Sequence, residues 1–325
     1  MFYDLSFIIL MFDLIIIGGS AAATSAGIYA ARRGLSFKIV TKDFGGEVAT
    51  SGEIGNWPGI PNTDGITLAN QFKEHLKFYN VIPEEGVEVD RIIKNENGTF
   101  LIKTKSGNDY STKAIIVATG VHPRELNIPG EKEFRNKGVS YCTVCDGPLF
   151  GGKITAVIGG GNSALEAGLM MADISSKVYV INKNLEFKGD KILLDNLKTK
   201  NNVAIIYGAE TKEIIGEQPA RTAEGVQSGG FVTGLKYEKE REYEIRVDGI
   251  FVHIGMIPNS NIVPAEAQKN NFGEILVNKN CETNIPGLYA AGDVTDIPFK
   301  QIVIATGQGA TALLSAVQYL NKQAG

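Results

Sequence analysis

Cysteine and histidine are scarce in this sequence, with three of each among 325 residues. This scarcity argues against a disulfide-rich secreted scaffold, in which cysteines are dense. It also argues against structural zinc, which needs four cysteine or histidine ligands at characteristic spacing. One Cys-x-x-Cys pair is present, and the other thiol and the imidazoles are scattered: Cys281, His75, His122 and His253. We therefore expect no bound metal ion.

The sequence also lacks a charge excess and a long apolar run. The formal net charge is −4 and the basic residues form no long block, so nucleic acid is not an expected partner. The apolar stretch 7–11 follows no basic region, is interrupted at Asp13 and is too short to span a membrane. We expect a cytoplasmic protein without membrane association, in which residues 1–10 are an extension and Met11 is the natural start.

Glycine, in contrast, is abundant, and its 38 residues cluster in turns between β-branched runs. The first such turn, at Gly18, follows an apolar strand at 13–17. An alanine-rich helix is expected over 21–33, ended by Gly34, and a second strand over 37–40. This stretch therefore has the βαβ pattern that begins a doubly wound domain.

The same pattern recurs further along the chain. A strand at 154–158 runs into three glycines at 159–161, and a helix from 162 to about 173 and a strand at 177–181 follow. Two complete βαβ starts in one chain imply two doubly wound nucleotide-binding domains.

Two further strands, at 114–120 and 249–255, indicate how the domains are arranged. Each ends in small residues and is followed by a proline, Pro123 or Pro258, so we interpret them as crossovers between domains. The expected fold class is α/β, with two doubly wound three-layer nucleotide-binding domains, the second inserted in the first. The polar, glycine-rich stretch 217–230 is expected to form a mobile loop between two strands. The expected boundaries are 1–119 with 251–325 for the split domain and 120–250 for the inserted one.

Both glycine turns resemble the dinucleotide fingerprint G-x-G-x-x-G, whose glycines let the backbone approach a pyrophosphate at a helix N-terminus. The second turn departs from it only at the third glycine, which is replaced by Ala164. The first turn is a weaker match, because Ser20 and Ala23 stand in place of two glycines. The side chain of Ser20 falls where a phosphate is expected to pass close to the backbone.

The pair Cys142 and Cys145, followed at once by Asp146, lies just before the second fingerprint. Two thiols at this spacing can close a small disulfide, but so short a loop restrains the unfolded chain little, which favours redox chemistry over a structural role. Asp146 can relay a proton. Alternatively, it caps a helix or turn ahead of Gly147, and the two roles are not exclusive. Cys281 has no neighbouring thiol and is expected to pack.

Asp293 is a further candidate site residue, because it follows a strand of small and apolar residues at 287–292. Ligands bind at the carboxyl ends of strands in open α/β sheets. A carboxylate there can accept a hydrogen bond from a sugar or ribityl hydroxyl. The segment Lys300-Gln301-Ile302 is expected to open a long helix whose first amides face the same crevice.

Taken in chain order, these motifs resemble the low-molecular-weight thioredoxin reductases over residues 12–322. Two further elements share the resemblance, Gly45-Gly46-Glu47 and Asn56-Trp57-Pro58-Gly59. Its most specific parts are C-T-V-C-D-G at 142–147 and G-L-Y-A-A-G-D-V at 287–294. The stretch 251–307 is even more similar to the flavoprotein component of alkyl hydroperoxide reductase.

The resemblance implies FAD in the split domain and NADPH or NADH in the inserted domain. The residues that it assigns to FAD are Gly18, Ser20, Ala23, Gly45, Gly46, Glu47, Asn56, Ala118, Thr119, Gly120, Gly292, Asp293, Lys300, Gln301 and Ile302. Those that it assigns to the nicotinamide coenzyme are Gly159, Gly161, Asn162, Ser163, Ala164, Lys183 and Lys188.

The choice of coenzyme stays open, because segment 182–188 departs from the family pattern. NADPH-dependent members have H-R-R-x-x-x-R there, whereas this chain keeps only Lys183 and Lys188 as cations. An NADH site would place a carboxylate near Asn182, and none is there. Lysine holds a phosphate as a point charge, so the two lysines and Ala164 favour NADPH with weak selectivity. A third alternative is that neither coenzyme binds well.

The implied activity is electron transfer from NAD(P)H, through FAD and the Cys142–Cys145 disulfide, to thioredoxin or a similar small redox protein. The resemblance assigns the reaction with flavin to Cys145, the attack on the partner disulfide to Cys142, and protonation of a leaving thiolate to Asp146. It also implies a homodimer and a rotation of one domain against the other. Two alternatives remain: a dithiol oxidase or a reductase with another electron donor, motivated by 182–188, and a flavin-bound redox sensor, motivated by Ser20.

Overall fold

The computed structural model describes residues 11–217 and 230–324. The chain divides into two compact units, which we call the split unit, ending at His122 and resuming at Ile257, and the inserted unit, Pro123–Met256. The sequence places these divisions at 119/120 and 250/251, before two short strands in which the chain passes between units. The extension expected at 1–10 lies outside the described residues, as does the expected loop at 217–230 apart from its first and last positions.

The split unit contains a six-stranded sheet with helices. Its elements, numbered along the whole chain, are β1 Met11–Ile17, α1 Ala21–Arg32, β2 Phe37–Val40, α2 Gly46–Ala49, β3 Glu53–Ile54, β4 Thr63–Asp64, α3 Gly65–Phe78, β5 Val89–Lys94, β6 Phe100–Thr104, β7 Tyr110–Val117, β8 Val121–Pro123, β18 Leu288–Ala290 and α7 Ile302–Ala324. The sheet order is β2-β1-β7-β6-β5, and β18 pairs with the second half of β7. Strands β1, β2, β7 and β18 are parallel, whereas β5 and β6 form an antiparallel hairpin that continues onto β7.

The inserted unit has a fully parallel five-stranded sheet and a smaller antiparallel sheet. Its elements are β9 Val139–Ser140, α4 Thr143–Asp146, a 3₁₀ turn Gly147–Phe150, β10 Ile154–Ile158, α5 Asn162–Ile174, β11 Lys177–Asn182, α6 Lys191–Lys198, β12 Val203–Tyr207, β13 Glu210–Gly216, β14 Val232–Glu238, β15 Glu242–Arg246 and β16 Gly249–Val252. Strand β17 Met256–Pro258 begins at the last residue of this unit and continues into the split unit. The parallel order is β12-β11-β10-β16-β9, and β13-β14-β15 is antiparallel.

The parallel strands β1 and β10 are each buried on both faces of their sheet. In β1, Leu14 and Ile16 belong to one hydrophobic core, with residues of α1 and α7, and Ile15 belongs to the core on the other face. In β10, Ile158 and Val157 are divided between two cores in the same way. Parallel strands covered on both faces are expected to be continuously apolar. The predicted α/β class with three-layer units is therefore confirmed.

Several element ends differ from the sequence-based bounds by one or two residues. Helix α7 begins at Ile302, so Lys300 and Gln301 precede it. The Gln301 side chain donates to the backbone oxygen of Lys300, and the Lys300 ammonium donates to the backbone oxygen of Thr295. Helix α1 ends at Arg32, and Gly34 follows with a φ of +68°, the left-handed conformation common just beyond a helix.

In the described ranges, none of the helices combines the length and apolar character needed to cross a membrane. Those ranges also contain no group of three or more histidine, cysteine, aspartate or glutamate side chains arranged to hold a metal ion.

Helices α1 and α7 approach each other so closely that one glycine has no room for a side chain. A Cβ placed on Gly309 would lie 2.1 Å from the backbone oxygen of Ala22, whereas a Cβ on Gly307, in the same helix, has nothing within 4 Å. We expect Gly309→Ala to reduce the free energy of unfolding by about 1–3 kcal/mol through overpacking. The matched control, Gly307→Ala, is expected to raise it by about 0.5–1 kcal/mol, because alanine favours helix.

Urea denaturation of both variants measures this difference. A Gly309→Ala protein as stable as the Gly307→Ala protein would contradict the close helix packing.

Candidate dithiol and dinucleotide sites

The two neighbouring cysteines form a disulfide at the start of α4, in the inserted unit. The Sγ atoms of Cys142 and Cys145 lie 2.08 Å apart, and their Cα atoms 5.3 Å apart. Cys142 is the residue before the first turn of α4, and its Sγ accepts the backbone N–H of Cys145 at 3.2 Å. Cys145 is exposed and Cys142 is half-buried. Reagents in solution therefore reach Cys145 more readily than Cys142.

Asp146 is directed toward the dithiol loop rather than along the chain that follows it. Its Oδ2 accepts a hydrogen bond from the Ser140 hydroxyl at 2.5 Å, and the Ser140 oxygen accepts the backbone N–H of Cys142 at 3.1 Å. Asp146 also precedes the 3₁₀ turn, but within the described chain its carboxylate makes no cap hydrogen bond to that turn. Of the two roles expected from the sequence, this geometry favours a carboxylate held beside the dithiol.

His253 lies between the dithiol and the second glycine turn. Its Nε2 is 2.6 Å from Oγ1 of Thr143, the residue after Cys142, and its Nδ1 is 2.8 Å from Oγ of Ser163. Burial lowers the pKa of this imidazole to about 4, so it is neutral at pH 7. Sequence reasoning considered His253 only as a scattered zinc ligand. Its position just after the apolar strand 249–252 was the signal that could have placed it at this site.

The second glycine turn connects β10 to α5. Gly159 has a φ of +154°, and a Cβ there would lie 2.2 Å from the backbone oxygen of His253. Gly161 has nothing within 4 Å of its Cβ position, so the turn is open on that side. Ala164 is buried against the turn, whereas Ser163 is exposed. The Asn162 amide oxygen and nitrogen pair with the backbone and carboxylate of Asp190, at 2.6 and 3.0 Å.

Segment 182–188 is braced by Asn182, which is 1 % exposed. Its side chain accepts the Asn184 N–H at 3.1 Å and donates to the Glu186 backbone oxygen at 2.8 Å. Lys188 lies beside the turn, because its N–H donates to the Gly160 oxygen at 2.7 Å. The side chains of Lys183 and Lys188 are exposed. Asn182 therefore orders this segment, and the two lysines are its accessible cations.

The first glycine turn, in the split unit, has the same close approach. Gly18 has a φ of +132°, and a Cβ there would lie 2.1 Å from the backbone oxygen of Ala118. The Ser20 hydroxyl donates to the Gly45 oxygen at 2.6 Å and so is turned toward its own loop. Ala23 is 1 % exposed and packs in the core. The Ser20 side chain therefore connects the turn to Gly45.

Asp293 has a buried oxygen atom with no hydrogen-bond partner among the described residues, its Oδ1. Burial raises the pKa of this carboxyl from 3.8 to about 6, with a smaller opposing effect from Lys300 and a smaller raising effect from Glu47. An unpaired buried acceptor is costly unless a ligand supplies a donor. A flavin with its ribityl hydroxyls fits this requirement.

Other residues assigned to the flavin meet in the split unit although they are far apart in sequence. The Asn56 amide donates to the side-chain oxygen of Gln301 at 3.2 Å. Thr119 and Asn259 exchange two hydrogen bonds, at 2.7 and 2.9 Å, and the Asn259 N–H donates to the Gly120 oxygen at 3.0 Å. Lys300 forms an ion pair with Glu274 at 2.8 Å. The contacts of Asn56 with Gln301 and of Thr119 with Asn259 join the chain segment before the inserted unit to the segment after it.

Every residue assigned to FAD lies in the split unit, and the dithiol and every residue assigned to the nicotinamide coenzyme lie in the inserted unit. Cys281 belongs to neither set. It packs in the core as expected, at 2 % exposure, and burial raises the pKa of its thiol to about 11. A thiol with so high a pKa is a poor nucleophile at neutral pH.

Comparison with known proteins identifies the family of this chain. The pyridine nucleotide-disulphide oxidoreductase family matches residues 12–309. The F component of alkyl hydroperoxide reductase from Escherichia coli K12 is 41% identical over 314 residues, which are 95% of this chain and 58% of that protein. A Bacillus subtilis protein named NADH dehydrogenase is 40% identical over 309 residues, with the same two coverages, 95% and 58%. The chain thus spans less than two thirds of the length of these relatives.

A solved structure of thioredoxin reductase from Streptococcus pyogenes matches the chain with a TM-score of 0.87 and 31% identity, covering 96% of this chain and 99% of that one. The expected resemblance to the thioredoxin reductases and to the flavoprotein of alkyl hydroperoxide reductase is confirmed. The family implies the use of a flavin and a pyridine nucleotide with a redox-active cysteine pair. This chain belongs to the pyridine nucleotide-disulphide oxidoreductase family.

Proposed function

We propose that this chain is a disulfide reductase, which passes electrons from NAD(P)H through FAD and the Cys142–Cys145 disulfide to thioredoxin or a similar small redox protein. The split unit binds FAD and the inserted unit binds the coenzyme. Names of relatives support the proposal, since they include thioredoxin reductase and the F component of alkyl hydroperoxide reductase.

The observation that carries the proposal is the place of the disulfide in the inserted sheet. Strands β10, β16 and β9 are adjacent and parallel. Gly159 follows the carboxyl end of the first, His253 that of the second, and Cys142 comes shortly after the third. Ligands of open α/β sheets bind at this edge. A dithiol that lies at the ligand-binding edge of a nucleotide-binding sheet supports a redox role for the disulfide and argues against a structural one.

The split unit supplies contacts that suit FAD. Asp293 offers its unpaired Oδ1 to a hydroxyl of the ribityl chain, and the Gly18 turn offers backbone N–H groups at the start of α1. The contact between Asn56 and Gln301 joins two segments beside α7. When bound, the flavin accepts a hydride from the nicotinamide and delivers two electrons to a disulfide.

The dithiol then carries out two exchange steps. The Cys142 thiolate attacks one sulfur of the partner disulfide, which forms a mixed disulfide and releases the other partner sulfur as a thiolate. The thiolate of Cys145 next attacks Cys142 Sγ, which restores the Cys142–Cys145 bond and releases the second partner sulfur. Two electrons leave the dithiol and reduce one partner disulfide to two thiols. The attacking role of Cys142, the more buried of the two, rests on the resemblance.

Asp146 supplies the proton that a leaving thiolate needs. It is one residue from Cys145, and Ser140 links its carboxylate to the backbone N–H of Cys142. That link keeps the carboxyl group near both sulfurs through the exchange. Ser140 is 5 % exposed, so water competes little for this hydrogen bond.

The choice between coenzymes depends on segment 182–188. Asn182 occupies the place where an NADH site would have a carboxylate, and its side chain is used to brace the segment. Lys183 and Lys188 can attract a 2′-phosphate, which favours NADPH. The name NADH dehydrogenase of one relative points to the other coenzyme. We propose NADPH as the better substrate, with weak selectivity.

Anaerobic mixing of the flavin-loaded protein with each coenzyme tests the electron source. We expect NADPH to bleach the flavin absorbance, and we expect NADH to do so only at a higher concentration. Replacing both Lys183 and Lys188 with alanine is expected to weaken the apparent affinity for NADPH about tenfold and to leave that for NADH unchanged, since each phosphate ion pair contributes about 0.7 kcal/mol at an exposed site and the two together about 1.4 kcal/mol.

The matched control is Lys198→Ala, at the far end of α6. Flavin that stays oxidised with both coenzymes would refute the proposed electron source and would favour a dithiol oxidase or a reductase with another donor.

Cysteine variants test the role of the disulfide. We expect Cys142→Ser and Cys145→Ser each to abolish reduction of thioredoxin disulfide, because exchange needs both sulfurs, and to leave flavin bleaching by the coenzyme intact. Cys281→Ser is the control and is expected to keep turnover, since that thiol is buried. Turnover that survives the loss of either Cys142 or Cys145 contradicts the proposed route.

Replacement of Asp293 has opposite effects on binding and stability. Asp293→Asn loses a charged acceptor, so we expect FAD to bind about tenfold more weakly. In the flavin-free protein the raised pKa means that native stability falls as pH rises from about 4 through 6, the range between the ordinary pKa of 3.8 and the raised one of about 6. An asparagine at this position does not ionise, so it does not cause this fall in stability with rising pH.

The melting temperature of the flavin-free Asp293→Asn protein is therefore expected to exceed that of the native protein above pH 6, with the difference vanishing near pH 4. Asp296→Asn, at an exposed neighbouring position, serves as the control. A pH-independent difference would show that the buried carboxylate is not the cause.

A further inference from the structure

His253 contacts both functional parts of the inserted unit through its side chain. Its two ring nitrogens lie 2.6 Å from the Thr143 hydroxyl and 2.8 Å from the Ser163 hydroxyl. A neutral imidazole has one N–H donor and one acceptor nitrogen, and a hydroxyl can take either role. The protonation of one nitrogen therefore decides the direction of both hydrogen bonds together.

The backbone of His253 is also fixed to the nucleotide turn. Its N–H donates to the Ile158 oxygen at 2.8 Å, and its carbonyl oxygen would be 2.2 Å from a Cβ on Gly159. Because both the backbone and the ring of His253 contact this turn, a shift of the turn is expected to move His253 as well. Ser163 itself is exposed, so it is accessible to a ligand that binds at the turn.

Thr143 is the other end of the bridge and belongs to the dithiol loop. It is the first residue of α4, lies between the two bonded cysteines and is 3 % exposed. Because it is buried, its hydroxyl depends on His253 rather than on water for a partner. A change in the direction of that hydrogen bond therefore acts on the loop that carries both sulfurs.

We propose that His253 is a positioning residue that couples occupancy of the second glycine turn to the reactivity of the Cys142–Cys145 dithiol. A phosphate oxygen bound at the turn would accept a hydrogen bond from the Ser163 hydroxyl, and the Ser163 oxygen would then accept a hydrogen bond from Nδ1–H of His253. Nε2 would carry the lone pair and accept a hydrogen bond from the Thr143 hydroxyl, which would hold the dithiol loop in the arrangement where Cys142 is half-buried. The coupling rests on the proposed binding of a nicotinamide coenzyme at this turn.

Alkylation of the reduced dithiol tests the coupling without turnover. The full-length, flavin-loaded protein is reduced with dithiothreitol, freed of reductant under nitrogen and treated with iodoacetamide, and the modification of Cys142 is followed by peptide mass spectrometry. Oxidised coenzyme, NADP⁺ or NAD⁺, is added at saturation in parallel samples, and the rate is calculated only for the fraction of Cys142 that remains a free thiol, because oxidised coenzyme can draw electrons from the dithiol through the flavin. We expect the bound coenzyme to slow alkylation of Cys142 about fivefold, a modest coupling between two sites.

Three variants separate coupling from simple loss of structure. His253→Ala removes both hydrogen bonds and Thr143→Val removes one hydroxyl at constant volume, so neither is expected to show the slowing. His253→Gln keeps one donor and one acceptor on a single side chain and is expected to restore it. Unmodified Cys281 peptide, with its buried thiol, reports that each variant is folded.

Equilibrium dialysis of the same samples distinguishes failure of the coupling from failure of the proposed function. If coenzyme binds but leaves the alkylation rate of the native protein unchanged, the coupling is refuted and the function stands. A His253→Ala protein that responds like the native one, or a His253→Gln protein that responds like His253→Ala, also refutes it. If neither NADP⁺ nor NAD⁺ binds, the assignment of the turn to the coenzyme fails, and the coupling fails with it.

Discussion

A steric constraint at two glycines determines how both candidate sites are built. Gly18 and Gly159 each adopt a positive φ, and a Cβ on either would lie 2.1 or 2.2 Å from the backbone oxygen of Ala118 or His253. That oxygen belongs to a residue just beyond the neighbouring parallel strand. In each unit, the strand-to-helix turn is therefore pressed against the end of the next strand. The residues after that strand, which include Thr119 in one unit and His253 in the other, are brought to the turn as a result.

In the inserted unit the same arrangement extends to the dithiol. Because β16 lies between β10 and β9, the residues after β16 are the natural bridge from the turn to the cysteines. His253 occupies that place, and Ser140, the last residue of β9, holds Asp146 from the opposite side of the loop. Hydrogen bonds therefore connect the residues around the disulfide to the ends of β9 and β16, although the helix that carries the disulfide has only four residues. Chemistry at the sulfurs is positioned by the sheet rather than by that short helix.

The features that follow from local sequence were predicted well, and those that depend on tertiary contacts were not. Strands β1 and β10, their glycine turns and the cysteine pair each have a local signature, so fold class and family were accessible. The inward side chain of Asn182 and the contact of Ser20 with Gly45 depend on loops folded back in space, which no periodicity encodes. His253 was missed for the same reason, because its partners Thr143 and Ser163 are 110 and 90 residues away in sequence.

The proposed function requires that a flavin and the Cys142–Cys145 disulfide share this chain and exchange two electrons. Anaerobic reductive titration with dithionite counts the electrons directly. Since a flavin and a disulfide are each two-electron couples, we predict uptake of about four electrons per bound flavin in the native protein and about two after Cys142 and Cys145 are both replaced by serine. Uptake of about two electrons by both proteins, or a purified protein without flavin, would contradict the claim.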